Sequence, residues 1–162
     1  MFPTQIREIL ATLHRHEVIF TIVGGVAAQL QGAPISTFDV DILYSLDDDN
    51  IGRLQAALDE LEAEFRADMM NRRIKPNLTH LRSLGHKLLR TKFGQLDALG
   101  TIEEATTYAD VVAHFKLLDV GGFSVQVLEL ARLIEVKRKA GRPKDLAVLP
   151  ILEATLARTA RS

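Results

Sequence analysis

The sequence predicts an α+β domain with a mixed or antiparallel sheet and helices packed on it. Two observations predict this. Strand-length apolar runs and helical stripes are interspersed along the 162 residues without a regular βαβ alternation. In addition, Leu78 to Leu99 holds three short strand-like runs, broken near Gly85 and at Gly94, in the pattern of an antiparallel meander. The composition, 47% hydrophobic and 25% charged, is that of an ordinary globular protein. The length suits one domain that buries its core without covalent staples.

Each element has its own signal. Ile6, Ile9, Leu10 and Leu13 recur at helical spacing, so the first sixteen residues read as an amphipathic helix. Val18 to Val23 reads as a buried strand. Gly24-Gly25 opens a small-residue helix that stops near Gly32-Ala33-Pro34. Val40 to Tyr44 is a second strand. The run Asp47-Asp48-Asp49-Asn50 caps a helix expected to reach about Arg66, with a stripe of Ile51, Leu54, Leu58, Leu61 and Phe65. Asn71 to Pro76 is polar and basic, the composition of a loop. Thr106 to Val127 reads either as a hairpin about Gly121-Gly122 or, from Tyr108, as a helical turn. Leu128 to Lys139 is helical, Gly141-Arg142-Pro143 breaks it, and a last helix runs from about Lys144 to Ala157. Residues 1–127 form the expected α/β core and 128–162 the C-terminal helices.

Several function classes fall away. The chain has no cysteine, which excludes disulfides and thiolate metal sites and fits a cytoplasmic setting. The N-terminus lacks the layout of a signal peptide, and no apolar run approaches the roughly 18 residues of a membrane span. A net charge of −1 provides no global field for nucleic acid. Gly24, Gly25 and Gly32 do not make a dinucleotide fingerprint, and no P-loop lysine follows them. The five histidines show no zinc spacing and read as surface or strand residues. Arg72, Arg73 and Lys75 read as a solvated basic loop.

Asp39-Val40-Asp41 carries the chemistry. In a strand, residues i and i+2 share a face, so both carboxylates project together from a strand otherwise built for burial. Side-by-side like charges are costly unless neutralised, and an oxygen-loving divalent cation such as Mg²⁺ (or Mn²⁺) is the usual partner. The pair follows the apolar run ending in Gly24-Gly25 after thirteen intervening residues. Glycine pair, spacer and paired carboxylates together point to phosphate and metal handling. Asp97, in GQLDALG, has two open readings. It is a third carboxylate of the same site, or it ends a strand before Gly100.

IVGG, a spacer, DVDI and then LDA resemble the active-site signature of the DNA polymerase β-like nucleotidyltransferase superfamily. More closely, GGVAAQLQGAPISTFDVDI with LARLIEVKRKAGRPKDLAVL is similar to the minimal nucleotidyltransferases of the AbiEii-type toxin family. The resemblance implies the nucleotidyltransferase fold and a Mg²⁺-dependent transfer of a nucleoside monophosphate from an NTP to a hydroxyl. The implied acceptor is RNA (a tRNA end) or a protein, with an antitoxin as partner. It also implies that Asp39, Asp41 and Asp97 are the metal and catalytic carboxylates. Gly24 and Gly25 would admit the triphosphate, and Lys137 and then Lys144 would contact phosphate. Arg142, Lys144 and Asp145 would arrange the C-terminal helices around the cleft, with Arg142 also among the nucleotide-binding residues. The chain departs from the family pattern at two places. Ile35-Ser36-Thr37 stands where an arginine often precedes Asp-x-Asp, and Val148 stands where an aspartate is common. The missing arginine supports the alternative of a non-catalytic, nucleotide- or partner-binding module.

Overall fold

The structure, a computed structural model, describes residues 3–67, 69–70 and 72–161. Met1, Phe2 and Asn71, included in the expected first helix and basic loop, lie outside the described residues. Helix α1 spans Thr4–Arg15 and buries Ile6, Ile9, Leu10 and Leu13, the stripe expected of it. Strand β1 is Phe20–Val23, helix α2 Gly24–Leu30 and strand β2 Val40–Tyr44. β1 starts later than expected because the Asn50 side chain, not a strand, accepts from the Ile19 N–H.

Helix α3, Asp48–Glu60, stops short of Arg66. The Ala63 N–H turns back to the Leu58 carbonyl, Glu62 adopts a positive φ of 55°, and the chain enters strand β3, Glu64–Phe65. Phe65 therefore belongs to the sheet, not to the helical stripe. Asp47 occupies the N-cap position of α3 without a side-chain hydrogen bond, so the favourable acidic groups are Asp48 and Asp49 in the first turn.

The first strand-like run after Pro76 is instead a short helix, α4, Leu78–Arg82. The Asn77 side chain accepts from the His80 N–H, and the His80 ring accepts from the Asn77 N–H, both at 3.0 Å. This reciprocal cap overrides the apolar pattern of so short a segment. Strands β4, His86–Thr91, and β5, Gly94–Leu99, form the remaining two runs. Both readings of the next segment hold, for different halves. Tyr108–His114 is a 3₁₀ helix, and β6, Phe115–Asp119, forms a hairpin with β7, Ser124–Leu128. Helix α5, Leu130–Ala140, ends at Gly141, whose φ of 65° gives the left-handed cap. Pro143 opens α6, Pro143–Thr159.

The strands form one seven-stranded sheet in the order β3-β4-β5-β2-β1-β7-β6. It is mixed: β2 runs parallel to β5 and β1 parallel to β7, and the other neighbours are antiparallel. Alternation sorts the sheet into two faces. Ile22, Ile42, Tyr44, Leu89 and Leu96 share one, and all are buried. From this face the Tyr44 hydroxyl donates to the Leu81 carbonyl at 2.7 Å, so α4 lies over it, with α3 against α4 and α1 against α3. Val23, Asp41, Asp97, Leu88 and His86 share the opposite face, which α5 and α6 overhang. Gln31 ties the end of α2 to that layer, donating to the Leu128 carbonyl and accepting from the Leu130 N–H.

Buried Asn50 locks α3 to the sheet. It accepts from the Ile19 N–H and donates to the carbonyls of Ile19 and Ser45. Truncation would orphan the Ile19 N–H and the Ser45 carbonyl, while the Ile19 carbonyl would keep the Ser45 N–H. Asn50→Ala is expected to cost about 2–3 kcal/mol in urea unfolding, with an unchanged denaturant slope.

Candidate active site

Register brings the acidic residues together. Asp41 on β2 lies directly opposite Asp97 on β5, although fifty-five residues separate them in the chain. Their carboxylates approach within hydrogen-bonding reach. Asp39 sits just ahead of β2, and with its amide turned to donate, Gln95 reaches both Asp39 oxygens, at 2.9 and 3.2 Å. Gln95 shares the face of Asp97 because it lies two residues before it.

Gly24 makes room for this pair. A Cβ on Gly24 would stand 2.2 Å from Asp41 Oδ2, and its φ of +73° is one that side chains rarely adopt. The Gly25 hydrogen faces Thr37 almost as closely, with a built Cβ at 3.0 Å. The glycine pair therefore lets the backbone close on the carboxylates and on the loop before β2. Gly24→Ala is expected to push the Asp41 carboxylate aside. It should lower the melting temperature by several degrees, about 1–2 kcal/mol, and weaken Mn²⁺ binding in an electron-resonance titration.

The C-terminal helices bring the positive charge. Asp145, at the start of α6, is buried and accepts from Arg142 Nε at 2.6 Å and from Lys137 Nζ at 3.2 Å. Burial opposes its charge, but the bonds to Arg142 and Lys137 outweigh that and hold the carboxyl below its ordinary value. Asp145 thus fixes both cations on the wall opposite Asp41. The electrostatics register this closeness. Burial, then the charge and nearness of Asp97, then Asp39, push Asp41 up to about 7, while Lys137 acts the other way.

A cleft of about 600 Å³ runs over these groups. Asp39, Asp41 and Asp97 line one wall, Lys137, Arg142 and Lys144 another, and Gly24, Gly25 and Thr37 its end. A neighbouring cavity of about 400 Å³ shares Gly24, Asp41, His86, Lys137 and Arg142 with the cleft and continues over Val23, Leu128 and Val136. All eight residues expected in the site therefore line one cleft.

Two cleft residues carried no signal of that position in the sequence. His86 lines both cavities, and it is there because β4 pairs its Leu88 with Asp97. Arg66 comes from the turn after β3, and its Nη1 donates to Asp97 Oδ1 at 2.5 Å. Asp97 thus has a charged partner within the protein, which neither reading of the sequence, third site carboxylate or strand end, foresaw. Gln95 alone had a detectable signal, its two-residue spacing from Asp97.

Asp39, Asp41 and Asp97 offer only oxygen donors, and burial together with the neighbouring negative charges raises the proton affinity of Asp41. That chemistry fits a hard divalent cation. Among the described residues, no three acidic or histidine side chains already converge tightly enough to hold an ion by themselves. No described helix is long and apolar enough to cross a membrane.

No family model and no curated protein matches the chain. Solved structures do. One is a Thermotoga maritima protein provisionally assigned as a nucleotidyltransferase, with a TM-score of 0.57 and 17% identity over 90% of this chain and 88% of that one. Another is the antibiotic-resistance factor ANT(2'')-Ia, with a TM-score of 0.63 and 16% identity over 94% of this chain and 83% of that one. At these identities the likeness establishes the fold. The chain has the α+β nucleotidyltransferase fold.

Proposed function

We propose that the protein is a cytoplasmic, metal-dependent nucleotidyltransferase that moves a nucleoside monophosphate from an NTP to a hydroxyl. One observation carries the reading: Asp41 and Asp97 lie side by side in register, against a glycine with no room for a side chain and facing two cations held by one buried carboxylate. An isolated structural ion pair would not need Gly24 to be bare or its cations to face a cleft.

Asp39, Asp41 and the second oxygen of Asp97 would hold Mg²⁺ or Mn²⁺. Bound there, the cation would acidify the acceptor hydroxyl and neutralise charge on the triphosphate. The backbone at Gly24 and Gly25 admits the triphosphate, which Lys137, Arg142 and Lys144 face from across the cleft. The acceptor oxygen attacks the α-phosphorus, the bond to the β-phosphate oxygen breaks, and pyrophosphate leaves. Asp97, beside Asp41, would take the hydroxyl proton. The remaining rate enhancement is positioning. The motif resemblance supports a protein or RNA acceptor, and a toxin paired with an antitoxin as the setting.

The test incubates the full chain with labelled NTPs, Mg²⁺ and total tRNA, and in parallel with a cell lysate depleted of RNA. Label transfer that requires Mg²⁺ and disappears in Asp39→Ala and Asp41→Ala is expected. Tight NTP binding with no transfer to either pool would overturn the enzyme in favour of a nucleotide-sensing module.

A further inference from the structure

Arg66 has no place in the motif, yet it is the side chain bound directly to Asp97. Its backbone N–H donates to the Leu88 carbonyl, and its Nη1 donates to the next carbonyl, Leu89, at 3.0 Å. Two successive carbonyls of β4 therefore fasten it before it reaches across to Asp97 Oδ1 on β5. Both side chains are largely buried, 22% exposed for Arg66 and 17% for Asp97. A charge-assisted bond there is short and strongly directional. Arg66 holds one oxygen of Asp97 from the β4 side, and Asp41 lies on the opposite, β2 side of the carboxylate.

We infer that Arg66 is a positioning residue for nucleotidyl transfer, fixing the Asp97 carboxylate so that one oxygen is held and the other faces Asp41 and the cleft. This rests on the proposed transferase reading. Without the guanidinium, two carboxylates in register on adjacent strands would turn apart to relieve repulsion. With it, Asp97 can offer a single oxygen to an ion or a proton. The arrangement also puts a cation into the cleft that Ile35-Ser36-Thr37 lines. Arg66 acts through Asp97, however, and is already committed at Nη1 to a protein carbonyl and a carboxylate.

Two measurements test this. Nitrogen-15 spectra of the arginine side chains, recorded on the metal-free full chain, should show resolved, slowly exchanging Nη protons for Arg66, beside those of other paired arginines such as Arg132 on Glu103. That signal should vanish in Arg66→Lys and collapse in Asp97→Asn. An Arg66 signal unchanged in Asp97→Asn would overturn the inference. In the transfer assay with labelled NTP, Mg²⁺ and total tRNA, Arg66→Ala should lower kcat about 100-fold, with KM for NTP changed less than about twofold. Arg66→Lys should restore about tenfold of that loss, since one ammonium can still pair with Asp97. A tenfold rise in KM at unchanged kcat would make Arg66 a phosphate contact and overturn the positioning role. If the wild-type chain moves no label, the transferase reading fails by itself, while the spectra still decide the Arg66–Asp97 pairing.

Discussion

Asp41→Asn is expected to stabilise the metal-free protein at pH 8 while abolishing nucleotidyl transfer. Asp41 is pushed up to about 7, mainly by burial and by Asp97. In the unfolded chain an aspartate titrates near 3.9. Between about pH 4 and pH 7 the folded state binds the extra proton, so this group's stabilisation is complete at pH 4 and is lost as pH rises through 7. Above pH 7 the folded protein holds a buried charge beside Asp97 that Lys137 only partly offsets. Screening at this partly exposed side chain reduces the full linkage value, leaving about 1–3 kcal/mol. The amide of asparagine carries no charge to repel. Urea unfolding at pH 5 and pH 8 in a chelator reads the effect. Wild type should be the less stable at pH 8, and Asp41→Asn should remove much of that difference. A variant no more stable than wild type at pH 8 would sink the account. Mg²⁺ should abolish the advantage by stabilising wild type alone.

Removing the cations that surround Asp145 is expected to cost about 2 kcal/mol more than removing Asp145 itself. Asp145 is fully buried, whereas Lys137 and Arg142 remain 27% and 59% exposed. In Asp145→Ala the freed cations rehydrate, and the cost is about 1–3 kcal/mol. In Lys137→Met combined with Arg142→Leu the buried carboxylate has lost both charged partners, and about 3–5 kcal/mol is expected. The double variant should recover stability as pH falls, because its aspartate then protonates. Both changes should weaken NTP binding about tenfold or more, since Asp145 is what aims Lys137 and Arg142 at the cleft. Thermal melts from pH 4 to 8, with fluorescent-NTP titrations, separate the two effects. Equal costs for the two variants would argue against a buried, doubly paired Asp145.

The legible part of the site was the part encoded locally. Val40 between two aspartates is a strand alternation, and alternation alone placed both carboxylates toward one side. Gly24-Gly25 at the end of an apolar run was legible as a turn into a helix, whereas the close approach of the bare Gly24 to Asp41 was not. The α5–α6 junction was legible because Gly141 and Pro143 punctuate it. Misreadings fell where local pattern competed with tertiary context. Phe65 continued a helical stripe by spacing, but its N–H pairs with the Ile74 carbonyl in β3's surroundings. Leu78 to Arg82 resembled a strand until the Asn77–His80 cap decided for a helix.

By itself, then, the sequence determined the fold class, the strand that carries Asp41 with Asp39 just ahead of it, the glycine turn before them, and the basic helix that carries Lys137. These follow from periodicity and backbone preference, which act over a few residues. Only the tertiary structure decided that Asp97 stands beside Asp41, that Asp145 holds Lys137 and Arg142, and that Arg66 holds Asp97. Periodicity states which face a side chain leaves from. Which side chain it meets there depends on strand register across some fifty residues and on helix packing, and those are set by the whole core at once.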